Sequence, residues 1–275
     1  MRAGLPWPAP RFEAENETVK DRLTGLVWPR NASLSEFPLS WPEAREFVAE
    51  LNAGNYAGRN AWRLPGRREL FSLISHANIN PALPERHPFD QVFPAYYWTG
   101  DSVSRLPDQA WYVHLGGGRV FKGMKPGSYM VWPVCSRENP ESSPGTILED
   151  LGAVVKDHRT GLLWPHDADL PGRPVSWQEA LNAVARFNAD GLLEYSDWRL
   201  PNVRELESLL DLRCHSPALP PAHPFANVRD GYWSATSSAY EPSYAWVLYT
   251  IDGPVGVGTK GIAEFFLWPV RGPIR

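Results

Sequence analysis

The chain has 275 residues, with 27 Lys and Arg against 31 Asp and Glu and a formal charge of -4 at pH 7. Its longest basic cluster is the Arg67-Arg68 pair, which reads as the solvated side of a helix and argues against nucleic acid, whose phosphates demand a cationic face. No apolar run approaches the roughly 18 residues of a membrane span, and the opening MRAGLPWPAP lacks a signal peptide's hydrophobic region. As written, the chain reads as cytoplasmic, with an exported or phage-associated setting left open.

Six tryptophans, Trp28, Trp41, Trp62, Trp98, Trp111 and Trp132, recur as Trp164, Trp177, Trp198, Trp233, Trp246 and Trp268, offset each time by 135 or 136 positions. One module is therefore written twice. The repeat is too long for a solenoid unit but long enough to bury a core alone. We divide the chain into a first module over residues 1–140, with an N-terminal extension, and a second over 141–275; the segment Arg137 to Gly145 is the linker.

In chain order each module opens with a hairpin, TVKDRLTGLVW or VVKDHRTGLLW, turning at Gly25 or Gly161. Asp21 and Asp157 are expected to cap that turn through Asx-type bonds rather than to bind calcium. A helix follows, announced by capping boxes at Ser40 to Glu43 and Ser176 to Glu179 and closed at Gly54 or Gly191. A second helix starts after WRLP, with Leu70, Leu73 and Ile74, or Leu206, Leu209 and Leu210, as its apolar stripe, and with Asn202 a better N-cap than Gly66. Proline-rich loops carry the matched His87 and His223, read as structural. Three strand candidates then close each module: YYWTG, AWYVHL and VWPV, matched by GYWSA, AWVLYT and LWPV. The predicted class is α+β.

Burying an indole removes about 200 Å² from water, on the order of 5 kcal/mol gross. The twelve matched tryptophans are accordingly assigned to the core, Trp62 and Trp198 included, rather than to a sugar-stacking platform. Arg63 with Glu69, and Arg199 with Glu205, are read as structural pairs across the turn into helix two. Lys125 and Lys260 are expected at strand ends, facing solvent or a carboxylate. Cys135 and Cys214 do not match between modules and are read as unreactive thiols.

The string V-x-D-x-x-T-G-L-x-W, then S-W-x-E-A, W-R-L-P-x-x-x-E-L, Y-W-[ST], A-W and W-P-V resembles the Lcl C-terminal domain family over nearly all of each module. The resemblance implies a C-type-lectin-like fold and a binding scaffold, since relatives occur as C-terminal domains of bacterial surface adhesins that recognise sulfated glycans. Other lectin-like relatives are targets of diversity-generating retroelements. Formylglycine-generating enzymes are similar in size and fold, but need paired redox cysteines near the C-terminus. Sulfoxide synthases need H-x-x-x-H-x-E, and the chain carries neither signature. No enzyme activity, cofactor or metal is expected; a relative of the formylglycine-generating enzymes is the disfavoured alternative.

Where the modules differ, binding is expected. Strand alternation assigns Trp111, Val113 and Leu115, or Trp246, Leu248 and Thr250, to the core face. It leaves Tyr112 and His114, or Val247 and Tyr249, on an outer face. The preceding loops differ more: DSVSRLPDQ, with Asp101, Arg105 and Asp108, against TSSAYEPSY, with Tyr240, Glu241 and Tyr244. Tyrosine and serine on a loop above a rigid sheet suit adaptable recognition, so the predicted function is non-catalytic binding of a protein or glycan. A structural component of a larger assembly is the alternative.

Overall fold

The structure, a computed structural model, describes residues 7–136 and 147–272; the predicted linker lies outside them. These residues form two compact α+β units. The first holds β1 (Phe12–Glu15), β2 (Thr18–Asp21), β3 (Val27–Pro29), α1 (Trp41–Ala53), β4 (Trp62–Arg63), α2 (Arg67–Ser72), β5 (Tyr96–Val103), β6 (Leu106–His114), β7 (Val120–Met124) and β8 (Val134–Cys135). The second holds β9 (Leu148–Asp150), β10 (Val154–Asp157), β11 (Leu163–Pro165), α3 (Trp177–Ala189), α4 (Val203–Ser208), β12 (Gly231–Ser237), β13 (Tyr244–Tyr249) and β14 (Val255–Thr259).

In module one β1-β2-β3-β8-β4 form one antiparallel sheet, with Val19 opposite Trp28 and Trp62 opposite Cys135. Module two repeats the hairpin as β10 and β11, flanked by β9, and keeps the closing contacts as single bridges, Leu163 to Arg271 and Arg199 to Val270. Each module also has a three-stranded meander, β5-β6-β7 or β12-β13-β14. Its third strand is VFKGM or VGVGT, not the predicted VWPV or LWPV, which contribute only a short closing strand or bridges. The predicted opening hairpin also gains an outer strand, β1 or β9, whose exposed, charged sequence carries little apolar alternation.

Helices start where their caps dictate. Ser176 accepts from the Glu179 N–H at 3.3 Å while Glu179 accepts from the Ser176 N–H at 2.7 Å, and Ser40 N–H donates to Glu43 at 2.8 Å. The left-handed residue after α1 is Asn55 (φ 51°), not Gly54, which stays right-handed; Gly191 (φ 64°) holds the matching place after α3. Asparagine tolerates that region better than most side chains. Helix two is shorter than its apolar stripe: α2 stops at Ser72, and Leu73 and Ile74 continue into the core from the turn beyond it, both fully buried.

The meander is covered on both faces, which corrects the predicted outer face. Trp98, Ala110 and Tyr112 pack against Trp41, Ala44 and Val48 of α1, and Trp233, Ala245 and Val247 pack against Ala180, Ala183 and Val184 of α3. On the opposite face lie Tyr97, Trp111 and Val113, all buried. Eleven of the twelve matched indoles are buried and Trp177 is half-buried. Three rings converge identically in both copies: Trp28 and Phe89 lie 5.4 and 4.8 Å from Trp132, and Trp164 and Phe225 lie 5.5 and 4.6 Å from Trp268. Arg67, expected on a solvated face, is fully buried with its guanidinium 4.5 Å over the Trp111 ring, an arrangement that keeps the cation on an electron-rich surface.

Candidate ligand-binding surface

Of the site predicted in module two, Tyr240 and Glu241 sit on the segment between β12 and β13. Tyr240 is 73% exposed at its tip. The backbone beneath it is closely tied: Ser238 N–H donates to Tyr244 O and Tyr244 N–H to Glu241 O, each at 3.0 Å, and Glu241 N–H donates to Ser238 Oγ at 3.2 Å. Ser243 Oγ donates to the Glu241 carboxylate at 2.8 Å, so this carboxylate braces the loop on which it sits. Lys260 supplies the base: its ammonium donates to Ser237 Oγ and Pro242 O, both at 2.8 Å, while lying 4.4 Å above the Trp177 ring.

Lys260 does stand at a strand end, as expected, but its ammonium meets a hydroxyl, a carbonyl and an indole face rather than a carboxylate. Lys125 makes the same contact with Trp41, at 4.3 Å. Each of these indoles is fixed from the meander as well, Trp41 by donating to Thr99 O at 2.9 Å and Trp177 by donating to Ser234 O at 2.8 Å. Sequence reasoning missed the indole contacts of both lysines and the loop contacts of Lys260. Their shared register, one residue after the third meander strand or its turn, was the available signal.

The other proposed contact residues are placed differently from the prediction. Tyr244 is half-buried at the start of β13, and Tyr249 packs on Phe265 with ring centroids 5.7 Å apart, so it does not extend an outer patch. In module one Asp101 and Asp108 belong to strands, because β5 and β6 run on until only Ser104 and Arg105 connect them. Arg105 and Asp108 are exposed; His114 is half-buried against Tyr96 at 4.6 Å, and burial lowers its pKa.

Asp101 has a structural task instead. Gly66 offers α2 no capping side chain, and Asp101 reaches from β5 to accept the Arg67 N–H at 2.5 Å. In module two Asn202 caps α4 directly, accepting from Arg204 and Glu205 N–H at 3.0 Å each, and Thr236 accepts from Val203 N–H at 3.2 Å. Burial raises the Asp101 pKa, more than its bond to Arg67 N–H lowers it.

The matched charged pairs are bidentate. Arg63 donates to both Glu69 oxygens at 2.6 Å, and Arg199 to those of Glu205 at 2.7 and 2.6 Å. Each glutamate also accepts from its own N-cap N–H, Gly66 at 2.6 Å and Asn202 at 2.8 Å, which leaves it fully engaged. Trp62 and Trp198 are 3% and 2% exposed, so neither indole face is open to a sugar. A second matched device was missed in the sequence. Asn52 accepts Trp62 N–H at 2.7 Å and donates to Trp62 O at 2.9 Å, standing in for a neighbouring strand, and Asn188 does the same for Trp198 at 2.7 and 2.8 Å.

Asp21 does form its Asx bond, to Leu23 N–H at 2.9 Å, but is also held by Arg11 in a buried pair at 2.7 and 3.0 Å. Asp157 accepts Arg159 N–H at 2.9 Å and the Thr160 hydroxyl at 2.6 Å. His87 and His223 stack near Phe89 and Phe225 at 6.0 Å, with pKa values lowered by burial. Among the described residues no cluster of three or more His, Cys, Asp or Glu is placed to hold a metal, and no helix is long and apolar enough to cross a membrane.

Proteins of curated function yield no match to this sequence. The sequence profile of the Lcl C-terminal domain matches it twice, over residues 17–135 and 153–271, the stretches that hold both hairpins, both helix pairs and both meanders. The chain belongs to the Lcl C-terminal domain family, as two tandem copies.

Proposed function

We propose that the chain is a non-catalytic recognition protein of C-type-lectin-like build, and that its second module holds a protein or glycan ligand through the Tyr240 loop. The observation that carries this reading is a large amphipathic ring, 73% exposed, on a loop whose backbone, serines and glutamate are already hydrogen-bonded to one another and to Lys260. A loop ordered before binding loses little conformational entropy on contact, so burial of the phenol is realised as affinity. Tyr244 stands at the strand end below, where it extends the contact from loop to sheet.

The test is to profile the chain on arrayed glycans and by capture of partner proteins, then to repeat each positive result with Tyr240→Ala/Tyr244→Ala. Binding is expected to weaken by roughly 2 kcal/mol or more, a hot-spot magnitude, with the melting temperature nearly unchanged. Ligands that the double variant binds with unaltered affinity would remove this surface from the proposal.

A further inference from the structure

Module one carries a groove that has no counterpart in the proposal above. It encloses about 510 Å³ and is lined along one wall by Trp41, Arg45, Val48, Ala49 and Asn52 of α1, and along the other by Trp62, Arg63, Leu64 and Gly100. Its charged lining consists of two arginines and no carboxylate. Arg63 is neutralised by Glu69. Arg45 is not: it is exposed, lies 5.0 Å from the Trp41 ring, and forms no ion pair among the described residues. Lys125 adds a second cation over the same indole. Glu46 and Glu50 of α1 lie outside the lining.

We propose that this groove binds an extended peptide segment of a partner protein that carries an acidic side chain. The α1 wall from Trp41 to Asn52 is about 16 Å of helix at 1.5 Å per residue. That matches about five residues of extended chain. The apolar wall from Val48, Ala49 and Leu64 suits the body of such a segment, and Arg45, which already lies along the wall, supplies a charge-assisted donor to a carboxylate. Trp41 and Trp62 are too deeply buried for their ring faces to stack on a flat ligand, so the groove favours a chain over a sugar ring or an aromatic body.

The second module indicates how the groove is made specific. Leu181 stands where module one has Arg45, and Ala235 stands where it has Gly100. Leu181 packs on the α3 core instead of offering a charge. A Cβ at Gly100 would meet Leu64 Cβ and O at 3.4 Å, ordinary contact, so an alanine is accommodated while the groove floor rises. Module two therefore supplies a fold-compatible version of the same place that lacks the arginine and carries a methyl group at the floor position.

Selection of random peptides of about seven residues, displayed on phage, against the full chain tests the proposal. Enriched sequences are expected to share an Asp or Glu at a common register, and a synthetic enriched peptide to lose about tenfold or more in affinity when that residue becomes Asn or Gln. Arg45→Leu with Gly100→Ala is expected to abolish the same binding, while Tyr240→Ala/Tyr244→Ala leaves it intact and so separates this groove from the loop of module two. Arg45→Gln, at an exposed position, gives the same loss of affinity without depending on how Gly100→Ala folds. Enrichment of peptides without an acidic residue, failure to enrich any peptide that survives the tyrosine substitutions, or affinity unchanged in both Arg45 variants overturns the proposal.

Discussion

The two modules share a frame and differ in how they fill it. Against α1, module one packs Tyr96, Tyr112 and Tyr129, with Tyr112 4.6 and 4.9 Å from the other two rings. The matching places in module two hold Gly231, Val247 and Phe265. There Phe265 stacks on Trp233 at 5.0 Å and Tyr249 at 5.7 Å, and occupies the space a side chain at Gly231 would need, since a Cβ there would lie 2.9 Å from its ring. Volume has been exchanged between positions while the backbone bonds stayed in place. The meander edge is thus free to vary in chemistry so long as its packing closes, and the hydrogen-bonded joints at Trp62 and Trp198 are not.

The largest expected effect tests the frame. Trp62→Ala and Trp198→Ala should each cost about 3–5 kcal/mol in a denaturant melt, because each removes a buried indole whose N–H also donates to a backbone carbonyl, Tyr56 O at 3.1 Å or Leu192 O at 2.9 Å. Equal costs in the two modules would support a common frame; a loss under about 1 kcal/mol in either would break it. Next, Gly123→Ala and Gly258→Ala probe the traded volume. A Cβ at Gly123 would lie 2.8 Å from Tyr112 and 2.9 Å from Tyr129, and one at Gly258 would lie 2.8 Å from Trp233. Both should destabilise by about 1–3 kcal/mol through overpacking. Tyr129→Phe, which imports the ring of module two, should cost well under about 1 kcal/mol. A Gly123→Ala variant as stable as the parent would show that the tyrosine cluster yields, and that the rigid exchange inferred here does not hold.

The smallest effect concerns helix capping and depends on pH. The folded-state pKa of Asp101 is raised above 3.8, chiefly by burial. The stability associated with its protonated form is fully present below the unfolded value and is lost as the pH rises through the raised one. Asp101→Asn keeps an acceptor for Arg67 N–H and does not titrate. Its stability relative to the parent should therefore rise from acid toward neutrality and then level off, whereas Thr236→Val in module two should show a cost that does not vary with this transition. Paired thermal melts across about pH 3 to 7 check both, and a parent-to-variant difference independent of pH would refute the account of Asp101.

Much of the frame was legible from the sequence because it is local. Serine and asparagine caps three residues from a glutamate, a glycine in the hairpin turn, and WRLP ahead of an apolar stripe all act within a few residues of themselves. The errors were non-local. Alternation placed Tyr112 and Val247 outside because it assumes one wet face, yet Ala110 to Val113 and Ala245 to Leu248 are buried throughout, and nearly continuous apolar runs are the mark of a doubly covered sheet. Arg67 reads as solvated, and Lys125 and Lys260 as facing solvent or a carboxylate, because their partners are indole faces distant in sequence or across the fold. Asp101 looked like a variable-loop residue because the missing cap it replaces lies 35 positions earlier, at Gly66. The exposed Tyr240 was legible as a chemical type, whereas the bracing of its loop was not, since Lys260 arrives from another strand.

Arg11 gives the first module a different kind of boundary. It lies upstream of the family match that begins at residue 17, yet its guanidinium pairs with the fully buried Asp21 and donates to Ser72 O at 2.8 Å. In the second module the equivalent carbonyl, Ser208 O, is reached by Arg159 from inside the repeat. At this point the two copies part: excised at the start of its family match, the first module would leave the Asp21 carboxylate stranded in its core without Arg11, while the second would keep Arg159, the side chain that reaches Ser208 O.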